Sequence, residues 1–258
     1  MISTTRVGAI AANTVREAIR NKILYALLFF GVMLIGIGIL VSTLSYVESE
    51  RILQSVGLAS IRLFGAAIAI FVGVGLIHKE VDRRTIFTIL SKPVSRTEFL
   101  IGKYLGLVAT LWMQVAIMAA AFVVVSLISR APLDAGHAAA IWLAAIELAV
   151  LVAVATLFSA FTTPMLASLF TAGVYVVGHV TRDLKELGAQ SGAASIEQVT
   201  SLLHRALPDL EMFNVTIQAV HQLPISASEI WMPVAYALFY ATLLLALGSI
   251  IFERRDFR

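Results

Sequence analysis

Six long apolar runs constrain this chain more than any other feature. They lie at roughly 24–44, 57–77, 105–128, 138–160, 164–180 and 232–252. Each is near the length that a helix needs to cross a bilayer core, about 20 residues. Inside hydrocarbon the backbone N–H and C=O groups find no water, so such runs must close their hydrogen bonds as helices. Composition leaves no room for a soluble alternative. Hydrophobic residues make up 59% of the chain and charged ones 14%, whereas soluble domains carry about 25% charged residues. The expected fold is all-α, a polytopic membrane protein of six transmembrane helices forming one domain over 1–258.

The fourth and fifth runs are separated only by "FTTP". Joined, 138–180 would make a helix of roughly 64 Å, twice what a membrane requires. Pro164 suits the first position of a new helix, so the pair is expected to form a tight hairpin. Six spans put both termini on one side. That side carries thirteen Lys/Arg in its short segments and the other carries five, with Arg62 inside a span. The positive-inside rule then places both termini and the 78–104 loop in the cytoplasm, and the 181–231 loop outside. The first apolar run is expected to be retained as a span, because no small-residue cleavage site follows it.

Residues 6–20 alternate with helical period. Val7, Ile10, Ala11, Thr14, Val15, Ala18 and Ile19 share one face, opposite Arg6, Asn13, Arg16, Glu17 and Arg20. Segment 1–23 therefore reads as a basic amphipathic helix in the cytoplasmic interface plane, with Arg16, Glu17 and Arg20 available to a partner. On the outer side, "SIEQVTSLLHRALP" has Ser195 as an expected cap with Gln198 three residues on, and Pro208 as its stop. A second pattern between Pro208 and Pro224 is expected to lie on, or dip into, the outer leaflet as part of a lid. Arg62 and Glu147 fall within spans at similar depth. Intramembrane charges are functional candidates, and these two are placed either to pair or to contact a substrate. The row Gly65, Ala69, Gly73 suggests close helix packing.

Several chemistries have no residues to carry them. The sequence holds no cysteine, no P-loop, no H-E-x-x-H and no G-x-S-x-G. Its five histidines show no metal-ligand spacing, and His78 and His179 read as interface residues at span ends. No metal site, no cofactor and no catalysis are expected in this chain. Nucleic acid is not expected as a partner, because the basic residues are spread over short loops rather than gathered on one soluble face.

The most charged stretch is the loop at 78–104. "KEVDRRTIFTIL" reads as a short amphipathic helix, with Val81, Ile86, Ile89 and Leu90 opposite Glu80, Asp82, Arg83 and Arg84. "SKPVSR" breaks it, since Pro93 disfavours a helical Lys92. "TEFLIGKYLG" then restarts a helix, with Thr97 as its expected cap. A helix–turn–helix of mixed charge at the bilayer surface suits docking of a soluble partner. The residues alone also leave open a non-transporting scaffold or immunity-type protein, and a stand-alone secondary transporter.

The motifs "E-x-D-R-R-T-I" (80–86), "L-S-K-P-V-S-R" (90–96) and "F-L-I-G-K-Y-L-G" (99–106) resemble those of permease subunits of type-2 ATP-binding-cassette exporters whose ATPase is a separate chain. "REAIRNK" (16–22), "LPDLEMFN" (207–214) and "FERRDF" (252–257) are similar to that family too. The resemblance implies a half-transporter in a prokaryotic inner membrane. It would pair with a second permease copy, identical or related, and with two cytoplasmic ATPase subunits that bind ATP and Mg. It also implies that the loop between spans two and three carries a coupling helix. Glu80, Asp82, Arg83, Arg84 and Thr85 would then dock on the ATPase, Pro93 and Arg96 would shape the turn, and Lys103 would anchor span three at the headgroups.

Overall fold

The computed structural model describes residues 3–44, 48–82, 95–190 and 194–254. Among these the chain is helical, with no strand. The α-helices run in the order α1 (Thr4–Ile19), α2 (Lys22–Ser42), α3 (Ser49–Asp82), α4 (Arg96–Ile128), α5 (Ala135–Phe161), α6 (Pro164–Gln190), α7 (Ala194–Ala206), α8 (Thr216–Val220) and α9 (Ala227–Arg254), with a 3-10 turn at Glu211–Phe213. Six stretches are long and apolar enough to cross a membrane: Lys22–Ser42, Ser49–Leu76, Thr97–Ile128, Ala135–Phe161, Pro164–Thr181 and Ala227–Ile251. The six expected spans are thus present. The hairpin falls where Pro164 predicts it, with Thr162 ending α5 in extended backbone and Pro164 opening α6.

Helix α5 is apolar all round, and such a helix belongs inside a bundle. Of its membrane-length stretch 72% is buried, against 22% for α2. Helices α3, α4, α6 and α9 pack around α5, and α2 leans on α3 from outside. The outer faces of the peripheral helices stay apolar and uncovered, as at Phe29 and Leu40 on α2 and Leu238 and Phe239 on α9. In lipid this costs nothing, because hydrocarbon chains solvate leucine as well as protein does.

Four expectations need correcting. The third span is longer than 105–128, because α4 runs unbroken from Arg96. Its cap is Ser95 rather than Thr97. The Ser95 hydroxyl accepts from the Glu98 N–H at 3.1 Å and the Glu98 carboxylate accepts from the Ser95 N–H at 2.9 Å, which closes a capping box. Thr97 instead shares a 2.9 Å hydrogen bond with Ser249 near the end of α9. Helix α7 starts at Ala194, so Ser195 lies inside its first turn and is not the cap. Finally, Gly65 does meet Leu148 of α5, where a Cβ would lie 2.5 Å from a Leu148 methyl, but a Cβ on Gly73 would meet nothing within 4 Å. Along that row Gly65 makes the close approach and Ala69 is buried in the core, while Gly73 leaves room.

The segment from Leu207 to Gln222 packs on the bundle, with Leu210, Phe213, Val215, Ala219 and Val220 buried against it. It is pinned there by the Leu210 N–H donating to the Gly178 carbonyl at 3.0 Å and by the Asp209 N–H donating to the Tyr236 hydroxyl at 3.1 Å. Non-helical backbone is tolerated at membrane depth where protein covers it and satisfies its polar groups.

Candidate functional site

Two sets of polar side chains stand out, one at each end of the bundle. The first lies at the end that carries the termini, where α1 crosses the start of α4. Gly102 and Gly106 sit one turn apart on α4 and present bare backbone to α1. A Cβ on Gly102 would lie 2.7 Å from the Ile10 Cβ and 3.1 Å from the Val7 carbonyl oxygen, and one on Gly106 would lie 2.6 Å from both the Ala11 carbonyl oxygen and the Thr14 Cβ. No rotamer change relieves a clash with backbone. The spacing brings the two helix backbones together as small-residue pairs do between membrane helices.

This approach makes two charge contacts possible. Glu98, 2% exposed, accepts from the Ser3 N–H at 2.7 Å, and Arg6 lies 3.8 Å from it. Lys103, 1% exposed, lies 3.3 Å from Glu17. Lys103 points into the α1–α4 seam and meets a carboxylate of α1 there. With its charges met by α1, the polar start of α4 can continue as helix where a lone apolar span could not. Helix α1 is correspondingly more than a surface anchor. Val7, Thr14 and Ala18 are buried against protein, and Asn13, Arg16 and Arg20 remain exposed.

Of the docking residues expected in the 78–104 loop, Glu80 and Asp82 belong to the last turn of α3, and Arg96 is the first residue of α4. Arg83, Arg84, Thr85 and Pro93 lie outside the described residues.

The second set lies towards the opposite end. Arg62 of α3 donates from Nε and Nη2 to Glu147 Oε2 of α5 at 3.1 and 2.8 Å. The structure thus brings together the two charges found within spans. It adds a third group that the sequence reading left at a span end: His179 Nε2 of α6 lies 3.0 Å from Arg62 Nη2 and 3.2 Å from Glu147 Oε1. The Tyr175 ring stacks obliquely on the imidazole, with centroids 4.6 Å apart. Glu147 is 1% exposed, Arg62 12% and His179 21%. Charges this far from water persist only when paired and hydrogen-bonded, and here three helices contribute one member each. Similar depth within spans links Arg62 and Glu147 in the sequence, but no signal there ties either of them to position 179, which the packing of α6 on α5 brings in. Among the described residues no group of three or more His, Asp or Glu is placed to hold a metal ion.

The whole chain, compared with known families, matches the model of the ABC-2 family transporter protein over residues 8–257. No curated protein matches it.

Proposed function

The chain belongs to the ABC-2 transporter family, and on that footing we propose that it is the membrane-spanning permease of an exporter, driven by ATP hydrolysis on a separate subunit. Two copies of this chain, or this chain and a related one, form the membrane path, and two ATPase subunits dock on the side that carries the termini. That side is cytoplasmic by the excess of Lys/Arg in its segments. ATP and Mg belong to the ATPase, because this sequence has no P-loop to cradle a nucleotide. The family match over nearly the full length carries the proposal.

The fold supports a route for the motion. Helix α3 is 34 residues long, about 51 Å at 1.5 Å per residue, and it leads without a break to the edge of the 83–94 segment. Helix α4 resumes on the far side of that segment, already fastened to α1. ATP-driven closure of the partner pair acts on Glu80, Asp82, Arg83, Arg84 and Thr85, with Pro93 and Arg96 fixing the turn. It tilts α3 on one side and the α1–α4 unit on the other. The exposed Arg16 and Arg20 of α1 face the same partner.

Reversing two charges tests the reading. Arg83→Glu/Arg84→Glu, inserted normally in the membrane, is expected to lose at least tenfold in co-purification of the partner ATPase, as the loss of about 1.4 kcal/mol in docking would give. Unchanged co-purification together with unchanged substrate-stimulated hydrolysis removes the docking assignment.

A further inference from the structure

His179 is held at both ring nitrogens, and the two ends impose different conditions. Its Nδ1 lies 2.8 Å from the Tyr175 carbonyl oxygen one turn earlier on α6. A carbonyl can only accept, so Nδ1 carries a hydrogen and the neutral tautomer is fixed. At Nε2 the two neighbours make opposite demands. Arg62 Nη2, 3.0 Å away, is a donor only and needs a lone pair on Nε2. Glu147 Oε1, 3.2 Å away, is an acceptor and needs a hydrogen there.

The described arrangement satisfies the first demand and leaves the second open. Glu147 Oε2 takes two hydrogen bonds from Arg62. Glu147 Oε1 is buried and receives none. A buried carboxylate oxygen without a donor, facing an imidazole nitrogen across 3.2 Å, is an acceptor waiting for a proton. The site is selective by size and charge. A metal cation would meet the Arg62 guanidinium, an anion would meet the Glu147 carboxylate, and the gap between Nε2 and Oε1 is one hydrogen bond long.

The geometry points to His179 Nε2 as a proton-binding site inside the membrane domain, at which an added proton moves the attachment of α6 from Arg62 on α3 to Glu147 on α5. Unprotonated, Nε2 accepts from Arg62 and ties α6 to α3. Protonated, it donates to Glu147 Oε1 and repels the Arg62 Nη2 it faced, so α6 is tied to α5 and α3 keeps only its bonds to Glu147 Oε2. The charged and titratable groups that act on the imidazole are Arg62 from α3, Glu147 from α5 and, on its own helix, the Tyr175 phenol, which also feels both of those charges. His179 is the only member whose ordinary range includes the pH of cells and their surroundings. Since α3 is the helix that leads to the 83–94 segment, the proton sets how firmly that helix is held at its other end.

The test reads the proton itself and needs neither ATPase nor transported substrate. The full chain, labelled with 15N-histidine and placed in lipid nanodiscs, is followed by NMR, with His179 assigned by the signals lost in His179→Asn. At about pH 8.5 the Nδ1–H tautomer is expected, converting to the doubly protonated ring on acidification to about pH 5.5, within the usual histidine range. Glu147→Gln should cut the ratio of doubly protonated to neutral ring at a given pH by about tenfold, since a neighbouring opposite charge is worth one unit or more. If that variant does not insert, Arg62→Gln reads the other side, and the doubly protonated ring should then persist to higher pH. A high-pH Nε2–H tautomer, a ring that stays neutral throughout, or a conversion indifferent to both substitutions overturns the proposal.

Discussion

Adding one methyl group to α4 separates two physical effects that have opposite signs. In a helix, Gly→Ala is favourable by about 1 kcal/mol from backbone entropy alone. At Gly106 the new Cβ would sit 2.6 Å from the Ala11 carbonyl oxygen and 2.6 Å from the Thr14 Cβ. Neither atom is at the end of a flexible side chain, so α1 itself must retreat by about 0.8 Å to restore an ordinary contact near 3.4 Å. The same retreat takes the 3.3 Å Lys103–Glu17 contact beyond 4 Å and weakens the charge compensation of a buried ammonium. Overpacking of this kind costs about 1–3 kcal/mol. Backbone contact at two points puts Gly106→Ala at the upper end, for a net loss of about 2 kcal/mol. Gly8 on α1 is the control, because a Cβ there would meet nothing within 4 Å, and Gly8→Ala should gain up to about 1 kcal/mol. Thermal unfolding in nanodiscs, followed by tryptophan fluorescence, ranks the three proteins. A Gly106→Ala protein at least as stable as the parent would refute the close approach of α1 and α4.

Asp134 caps α5, accepting at Oδ1 from the His137 N–H at 3.2 Å and lying 2.7 Å from its ring Nδ1. Burial pushes this carboxyl up, but the His137 side chain and the N–H groups of His137 and Gly136 outweigh that and hold it below the ordinary aspartate range. A depressed folded value means the contribution is present above about pH 4 and lost as the pH falls through the folded value. Asp134→Asn keeps a good cap, so its stability deficit against the parent should be small at neutral pH and close under acid; a deficit constant down to about pH 3 would contradict the assignment. Phe213, 1% exposed, is the largest side chain of the 207–222 segment. Phe213→Ala should cost about 3–5 kcal/mol in chemical or thermal unfolding, and an unchanged midpoint would mean that this segment is not packed on the bundle.

Hydropathy made the six spans legible because each span is set by local composition, and Pro164 marked the hairpin because proline suits the first turn of a helix, where its missing N–H is not needed. What the sequence concealed depends on residues far apart in the chain. The Glu98 and Lys103 charges look like the end of a loop until Ser3, Arg6 and Glu17 are set beside them, some 86 to 95 positions away. The "GKYLG" spacing was visible and announces a close helix contact, but spacing alone does not say that α1 is the partner. From the sequence His179 reads as an interface residue for the same reason, since one histidine at a span end carries no mark of an arginine 117 positions earlier. The apolar residues of 207–220 have no regular period, which hid their burial. They are fixed by short turns rather than by one amphipathic helix.

The two charge sets also divide the bundle in a way that bears on how it moves. Each set ties helices that are not sequence neighbours: α1 to α4 at the end with the termini, and α3 to α5 and α6 towards the other. Buried charge pairs are costly to break one partner at a time, so each joint moves as a unit or switches as a unit. Between them the packing of α3 on α5 is apolar, with Ile61, Ile68 and Val72 of α3 in the same buried cluster as Leu148 and Leu151 of α5. Apolar surfaces have no directional bonds and slide at little cost compared with stranding a charge. A force applied between the end of α3 and the start of α4 therefore meets a rigid corner on the α4 side and a helix on the α3 side whose firmest hold lies far from the point of load. In the proposed cycle α3 tilts about the Arg62 contact while α1 and α4 travel together, and the proposed proton on His179 sets how many helices that contact holds.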